Sequence, residues 1–200
     1  MTKIHKIVLT GGPSGGKTTL QRAIFEQIPE AYCAPEVATV LLSGGFPAPT
    51  ELHPWEEAWQ RNFQLAVAAG QVALENITNR RAQQEGKLLA IYDRGLLDGA
   101  SYLPGGIREL EEITGHDERA MLSNYDSVLH LTTTAAHAAY DKQSNPHRFE
   151  ESAAALELDQ RIMTAWENHP NRIILDEPDK VERIAKGLLA VRTLLEGGAK

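Results

Sequence analysis

Gly11-Gly12-Pro13-Ser14-Gly15-Gly16-Lys17-Thr18 fits the spacing G-x-x-x-x-G-K-[ST], and the residues on either side agree with that spelling. Lys3 to Thr10, carrying Ile4, Ile7, Val8 and Leu9, predicts a short buried strand, and Thr19 to Phe25 predicts a helix. Strand, glycine-rich turn and helix in this order form a loop that wraps a polyphosphate. Successive backbone N–H groups contact the anion, and side chains at most positions would hold the backbone too far away. Gly11, Gly12, Gly15 and Gly16 remove that obstacle, so Gly12, Pro13, Ser14, Gly15, Gly16, Lys17, Thr18 and Thr19 are expected around the phosphates. Lys17 supplies a mobile charge for the β- and γ-phosphates, Thr18 offers its hydroxyl to Mg2+, and the helix turns its positive end to the anion. Gly12 to Gly16 also spells G-x-S-x-G, the nucleophile elbow of hydrolases. His169 is the last histidine, so Asp126 with His169 is the acid and base pair left to that reading, which gives Lys17-Thr18 no role.

Two hundred residues suit one α/β domain over residues 1–200 with a substantial core. Acidic residues outnumber basic ones 27 to 20, which argues against a surface that tracks nucleic-acid phosphates. The one cysteine, Cys33, has no internal partner, and its apolar neighbours suit a small core residue. The N-terminal apolar stretch is too short for a signal peptide, and no apolar run is long enough to span a membrane. A cytoplasmic protein is the expectation, with an oligomer left open. The seven histidines form no H-E-x-x-H or Cys/His cluster, so any metal is expected to arrive with the nucleotide.

Strand-like runs recur at Lys3–Thr10, Ala31–Pro35, Leu88–Asp93, Ser127–Thr132 and Arg172–Asp176, with helical patterns between them. This alternation predicts a three-layer fold: a five-stranded parallel sheet with helices on both faces and ligands at the carboxyl ends of the strands. The longest helix is predicted over Trp55 to Glu85, its core stripe being Trp55, Trp59, Phe63, Ala66, Ala69, Ala73 and Ile77. Ser43–Thr50, Leu103–Gly106 and Ala138–His147 break the pattern and read as loops, either mobile covers of a site or plain surface connections.

Asp93-Arg94-Gly95 ends an apolar strand, where a phosphate enzyme wants an acid. Asp93 could hold Mg2+ or accept a proton from an acceptor hydroxyl, and Arg94 could neutralise phosphate. Glu36 follows the second strand and should face the same edge as a second acid. Arg148 opens a helix predicted over Phe149–Glu167, where it could swing onto the transferring phosphate; Lys142 is a weaker candidate for that task.

These residues in this order resemble the P-loop proteins of the nucleoside/nucleotide-kinase-like group, and within it the AAA-type domain similar to the nicotinamide riboside kinase domain of NadR. The likeness spans nearly the whole chain. It rests on Gly11–Thr19, Pro35-Glu36-Val37-Ala38, Phe63-Gln64 with Gln71 and Glu75, and Asp93-Arg94-Gly95 with Asp98. It continues through His147-Arg148-Phe149-Glu150, Leu158-Asp159 and Ala165 to Pro170. The resemblance implies ATP on the loop, an acceptor between the strand before Glu36 and the long helix, and a lid at about 136–150 bearing Arg148. It also implies that Glu36 is the general base and Gln64 reads the acceptor. Where many relatives have an arginine shortly after that glutamate, this chain has Thr39. The expectation is a Mg2+-dependent phosphotransferase acting on a small nucleoside-like acceptor. A nucleotide-binding switch or slow NTPase working through a protein or lipid partner is the alternative.

Overall fold

The computed structural model describes residues 3–134 and 152–197. Five strands, β1 (His5–Thr10), β2 (Ala31–Ala34), β3 (Leu89–Asp93), β4 (Ser127–Leu131) and β5 (Arg172–Leu175), form one sheet in the order β2-β3-β1-β4-β5. Every pairing is parallel. Each strand lies within the run predicted for it and is one or two residues shorter: β1 and β3 begin later than predicted, and β2, β4 and β5 end one residue earlier.

Period-two alternation divides the side chains between two cores. Val8, Ala90, Tyr92 and Val128 pack on one face with Leu97, Leu110, Ile162 and Trp166. Ile7, Leu9, Leu89, Ile91, Leu129 and Leu131 pack on the other with Leu20, Ile24 and Val191. The second face is covered by α1 (Lys17–Gln27) and by α7 (Lys180–Gly197). The first is covered by α3 (Glu57–Gln84), a 3-10 turn (Leu96–Tyr102), α4 (Gly106–Thr114), α5 (Glu118–Ser123) and α6 (Ser152–Ala165), while the short α2 (Val37–Ser43) follows β2. Helices on both faces of a parallel sheet give the three-layer architecture expected. Among the described residues no helix is long and apolar enough to cross a membrane.

The stripe predicted for the long helix needs correction. Of its seven residues Phe63 is buried, whereas Trp55 is 52% exposed and Ile77 50%. The buried face of α3 carries Gln60, Gln64, Gln71, Glu75 and Thr78 beside Phe63, Ala68 and Ala82. Alanines lie on every side of this helix, so small residues gave no direction. Polar side chains turn inward because partners wait for them there.

Cys33 is half-buried against the second core, and burial pushes its thiol up to about 11. It is a packing residue with little thiolate at neutral pH.

Candidate active site

β1 is the central strand, so the loop after it is flanked by β3 and β4. Gly11 and Gly16 take left-handed φ values of 119° and 96°, and Ser14 one of 58°. A Cβ on Gly11 would lie 2.0 Å from the Leu131 carbonyl oxygen, and one on Gly15 2.5 Å from the same atom. The turn therefore sits directly on the end of β4, and only glycine allows that approach.

The outer side of the turn is pinned through its carbonyls. Pro13 O accepts from Thr133 Oγ1 at 2.6 Å, Ser14 O from Thr134 Oγ1 at 3.0 Å, and Gly15 O from Arg183 Nη1 at 3.3 Å. In a trans peptide the N–H points opposite its C=O, so carbonyls held outward leave the amides facing the concave side. Lys17 is buried at the start of α1, and its Nζ donates to the Gly11 and Gly12 carbonyls at 2.8 Å each. Thr18 and Thr19 are exposed at the same helix end.

Behind the loop stands Asp159 of α6. Its carboxylate accepts from Gly12 N at 2.6 Å, His130 Nε2 at 2.9 Å and Thr133 N at 3.0 Å. Burial alone would raise this carboxyl's pKa; the hydrogen bonds from His130, Thr133 and Gly12 outweigh it and hold the group below its ordinary value. His130, Thr133 and Arg183 were not anticipated as site residues. They lie far from the loop in sequence and have no local signature.

Asp93 is buried at the end of β3, in register with Leu9 of β1. Strand alternation places it on the face of Leu89 and Ile91, the one covered by α1, whose first turn carries Thr18. A hydroxyl and a carboxylate brought to one edge form an oxygen donor set suited to Mg2+. Among the described residues no three His, Cys, Asp or Glu side chains gather to hold a metal by themselves. The donor set fits an ion whose remaining ligands are phosphate oxygens and water.

Arg94 is 7% exposed and left-handed, with φ 73°, a conformation costing about 1–2 kcal/mol outside glycine. Its Nε donates to Glu36 Oε1 at 2.7 Å and its Nη1 to Asp98 Oδ1 at 3.1 Å. Burial opposes the guanidinium charge, but Tyr102, Glu36 and Asp98 outweigh it, so the group stays protonated. Arg94 thus spends two of its donors on neighbouring carboxylates. Asp98 is 2% exposed and also accepts from Thr10 Oγ1 at 2.5 Å, Gly95 N at 3.0 Å and Trp166 Nε1 at 3.2 Å. It anchors Arg94 to the sheet. Glu36 precedes α2 and accepts a second hydrogen bond, at Oε2, from Thr39 Oγ1 at 2.6 Å.

Beside this cluster opens a cavity of about 330 Å³ between α2, α3 and the 3-10 turn. Glu36, Arg94, Asp98, Gln60, Gln64 and Gln71 contribute its polar lining, and Val37, Leu42, Trp55, Trp59, Phe63 and Val67 its apolar wall. Trp59 and Phe63 stack with ring centroids 4.8 Å apart. Ala48 and Pro49 close one side, and the Pro47 carbonyl accepts from Trp59 Nε1 at 2.7 Å. The 43–50 loop is thus a wall of this cavity, and the aromatic start of the supposed core stripe faces it as well.

Glu36, Gln64, Asp93, Arg94 and Lys17 all meet at this sheet edge. Arg148, Lys142 and the 136–150 lid region lie outside the described residues. The hydrolase reading fails on position. Asp126 precedes β4, at the opposite edge from Ser14, where it accepts from Lys6 N at 2.9 Å; His169 Nε2 is 3.1 Å from the Tyr125 carbonyl oxygen.

The sequence model of the AAA domain family matches residues 6–183. A comparison with curated protein sequences gives no match. Among solved structures, NadR in complex with NR superposes with a TM-score of 0.71 at 19% identity, covering 95% of this chain and 51% of that one. NadR in complex with NAD and AMP-PNP gives a TM-score of 0.67 at 16% identity, covering 95% of this chain and 49% of that one. The chain thus spans about half the length of the NadR structures it matches. At such identities the likeness is one of fold. The family match and the loop built on Gly11–Thr18 agree: the chain belongs to the AAA domain family, as a P-loop nucleotide-binding domain whose fold resembles about half of NadR.

Proposed function

We propose that this chain transfers the γ-phosphoryl group of ATP, with Mg2+, to a hydroxyl of a small nucleoside-like acceptor. The observation that carries this reading is the cavity beside the loop, floored by the Glu36–Arg94–Asp98 cluster and walled by stacked aromatic rings. An amphipathic pocket at the same sheet edge as the loop supplies a place for an acceptor beside the nucleotide. The two NadR structures, one with AMP-PNP and one with NR, lend support from the same fold.

In this reading Gly12 to Thr19 bind the triphosphate, and Lys17 leaves the Gly11 and Gly12 carbonyls for the β- and γ-phosphates. Thr18 and Asp93 would hold Mg2+, which, when bound, would neutralise charge on those phosphates. The flat part of the acceptor lies along Trp59 and Phe63, with Gln64 reading its polar edge. Glu36, held by Arg94 and Thr39, takes the proton of the acceptor hydroxyl. That oxygen forms a bond to the γ-phosphorus, the bond from the γ-phosphorus to the β–γ bridging oxygen breaks, and ADP leaves. Arg94 aims Glu36 through the hydrogen bond from its Nε, and Arg148 supplies positive charge to the transferring group.

The test is ADP release from Mg·ATP over a panel of nucleosides and related alcohols. The proposal expects at least one compound to raise turnover well above the basal rate and to be recovered as its phosphate ester. ATP consumption independent of every acceptor would favour the switch or slow NTPase instead.

A further inference from the structure

Glu75 lies on the buried face of α3, 3% exposed, and contributes nothing to the cavity lining. Its Oε1 accepts from Tyr125 Oη at 2.7 Å and from Gln71 Nε2 at 2.8 Å, and its Oε2 from Asn124 Nδ2 at 2.6 Å. None of these partners is able to reverse its role. Gln71 Nε2 also donates to the Arg94 carbonyl at 3.1 Å, Tyr125 Oη accepts from Leu96 N at 2.9 Å, and Asn124 Oδ1 accepts from Lys6 Nζ at 2.8 Å. Three donors therefore converge on the two oxygens of Glu75; burial raises the pKa of this carboxyl, and the hydrogen bonds from Gln71, Tyr125 and Asn124 oppose that rise.

What the network holds is specific. The Arg94 carbonyl and the Leu96 amide bracket the left-handed residue whose side chain carries Glu36. An unfavourable φ persists only where surrounding contacts over-determine it. Gln71 and Tyr125 are two of those contacts, and each is oriented by the same buried carboxylate. The long helix is thereby coupled to the turn that positions the floor of the cavity.

We propose that Glu75 is a positioning residue: acting through Gln71 and Tyr125, it fixes the Arg94 turn and so the placement of Glu36 at the acceptor cavity. The effect on turnover rests on the phosphotransferase reading above; the effect on Arg94 does not.

The experiment compares Glu75→Gln and Tyr125→Phe with wild type. Glu75→Gln keeps the shape but offers one oxygen in place of two, so its amide is set either against Asn124 Nδ2 or against the Gln71 and Tyr125 donors. Tyr125→Phe keeps the ring against Tyr92 and Trp166 and removes one hydroxyl. The first readout is the Arg94 Nε–H resonance in 15N NMR, assigned by its loss in Arg94→Lys. Its proton exchange is expected to speed up about tenfold or more in Glu75→Gln, and in the same direction in Tyr125→Phe. Affinity for a non-hydrolysable ATP analogue should stay within about twofold, while acceptor kcat/KM falls about tenfold or more. A purely structural role would lower Tm and leave the native-state Arg94 resonance in place. If Glu75→Gln does not fold, Tyr125→Phe decides. An Arg94 Nε–H exchange rate within about twofold of wild type in every variant that folds overturns the proposal, even where wild type shows acceptor-dependent turnover. Faster Arg94 Nε–H exchange in a protein with no acceptor-dependent turnover sustains the positioning role and sinks the phosphotransferase reading.

Discussion

Replacing Asp159 with Asn tests how the phosphate loop is held, and its cost follows from the hydrogen bonds. The carboxylate accepts Gly12 N and His130 Nε2 on Oδ1 and Thr133 N on Oδ2. An asparagine has one oxygen to offer. If it stays with Gly12, its amide faces the Thr133 N–H, and one buried donor is stranded at a cost of about 1–3 kcal/mol. The remaining two bonds lose their charge assistance, which adds about 1 kcal/mol. A total near 3 kcal/mol lowers Tm by about 6–12 °C in a domain of this size. If about half of that falls on the loop, affinity for a non-hydrolysable ATP analogue drops about tenfold. The pH dependence carries a definite sign. Because the folded pKa lies below the ordinary 3.8, the stabilisation is fully present above that value and is lost as pH falls through the lower folded pKa. The gap between wild type and Asp159→Asn should therefore be wide at neutral pH and close in acid. Calorimetric titration and thermal melts from pH 7 to pH 3 measure both effects. Equal Tm and affinity within twofold at pH 7 would refute the assignment of Asp159 as the brace of the loop.

Other substitutions separate the two halves of the site. Lys17→Ala should cut triphosphate binding by about a hundredfold, as expected for a charge contacting two phosphates, and leave the protein folded; calorimetry with unchanged affinity would remove the phosphate-loop assignment. Gly11→Ala should abolish nucleotide binding, because the new Cβ would lie 2.0 Å from the Leu131 carbonyl oxygen at φ 119°; a variant that binds normally would show that the turn can leave β4. Trp59→Ala removes one ring of the stacked pair and should raise the acceptor KM about tenfold with the nucleotide constant unchanged, as steady-state kinetics will read.

Much of this fold is written locally. Strands buried on both faces read as short apolar runs, so Ala31–Ala34, Leu89–Asp93 and Ser127–Leu131 stand out without help from the rest of the chain. The loop is spelled by its glycines, and Glu36 and Asp93-Arg94 are found by counting from strand ends. The long helix hid its orientation because its buried face is polar. Gln60, Gln64, Gln71, Glu75 and Thr78 recur at helical spacing, and that row was the available signal that a site, rather than a plain core, lies against it. The brace at Asp159 was not legible in this way. It joins residues 147 positions apart, a contact that exists only once β4 and α6 are in place.

In the proposed transfer to a small hydroxyl compound, Glu36 is the proton acceptor. The most direct measurement is acceptor-dependent ADP release from Mg·ATP by wild type and Glu36→Gln, with Lys17→Ala run alongside to exclude a contaminating kinase. Wild type should respond to at least one nucleoside-like acceptor. Glu36→Gln should lose about a hundredfold or more of that turnover while binding the nucleotide as before. Turnover that no acceptor stimulates, or that survives Glu36→Gln intact, would contradict the account.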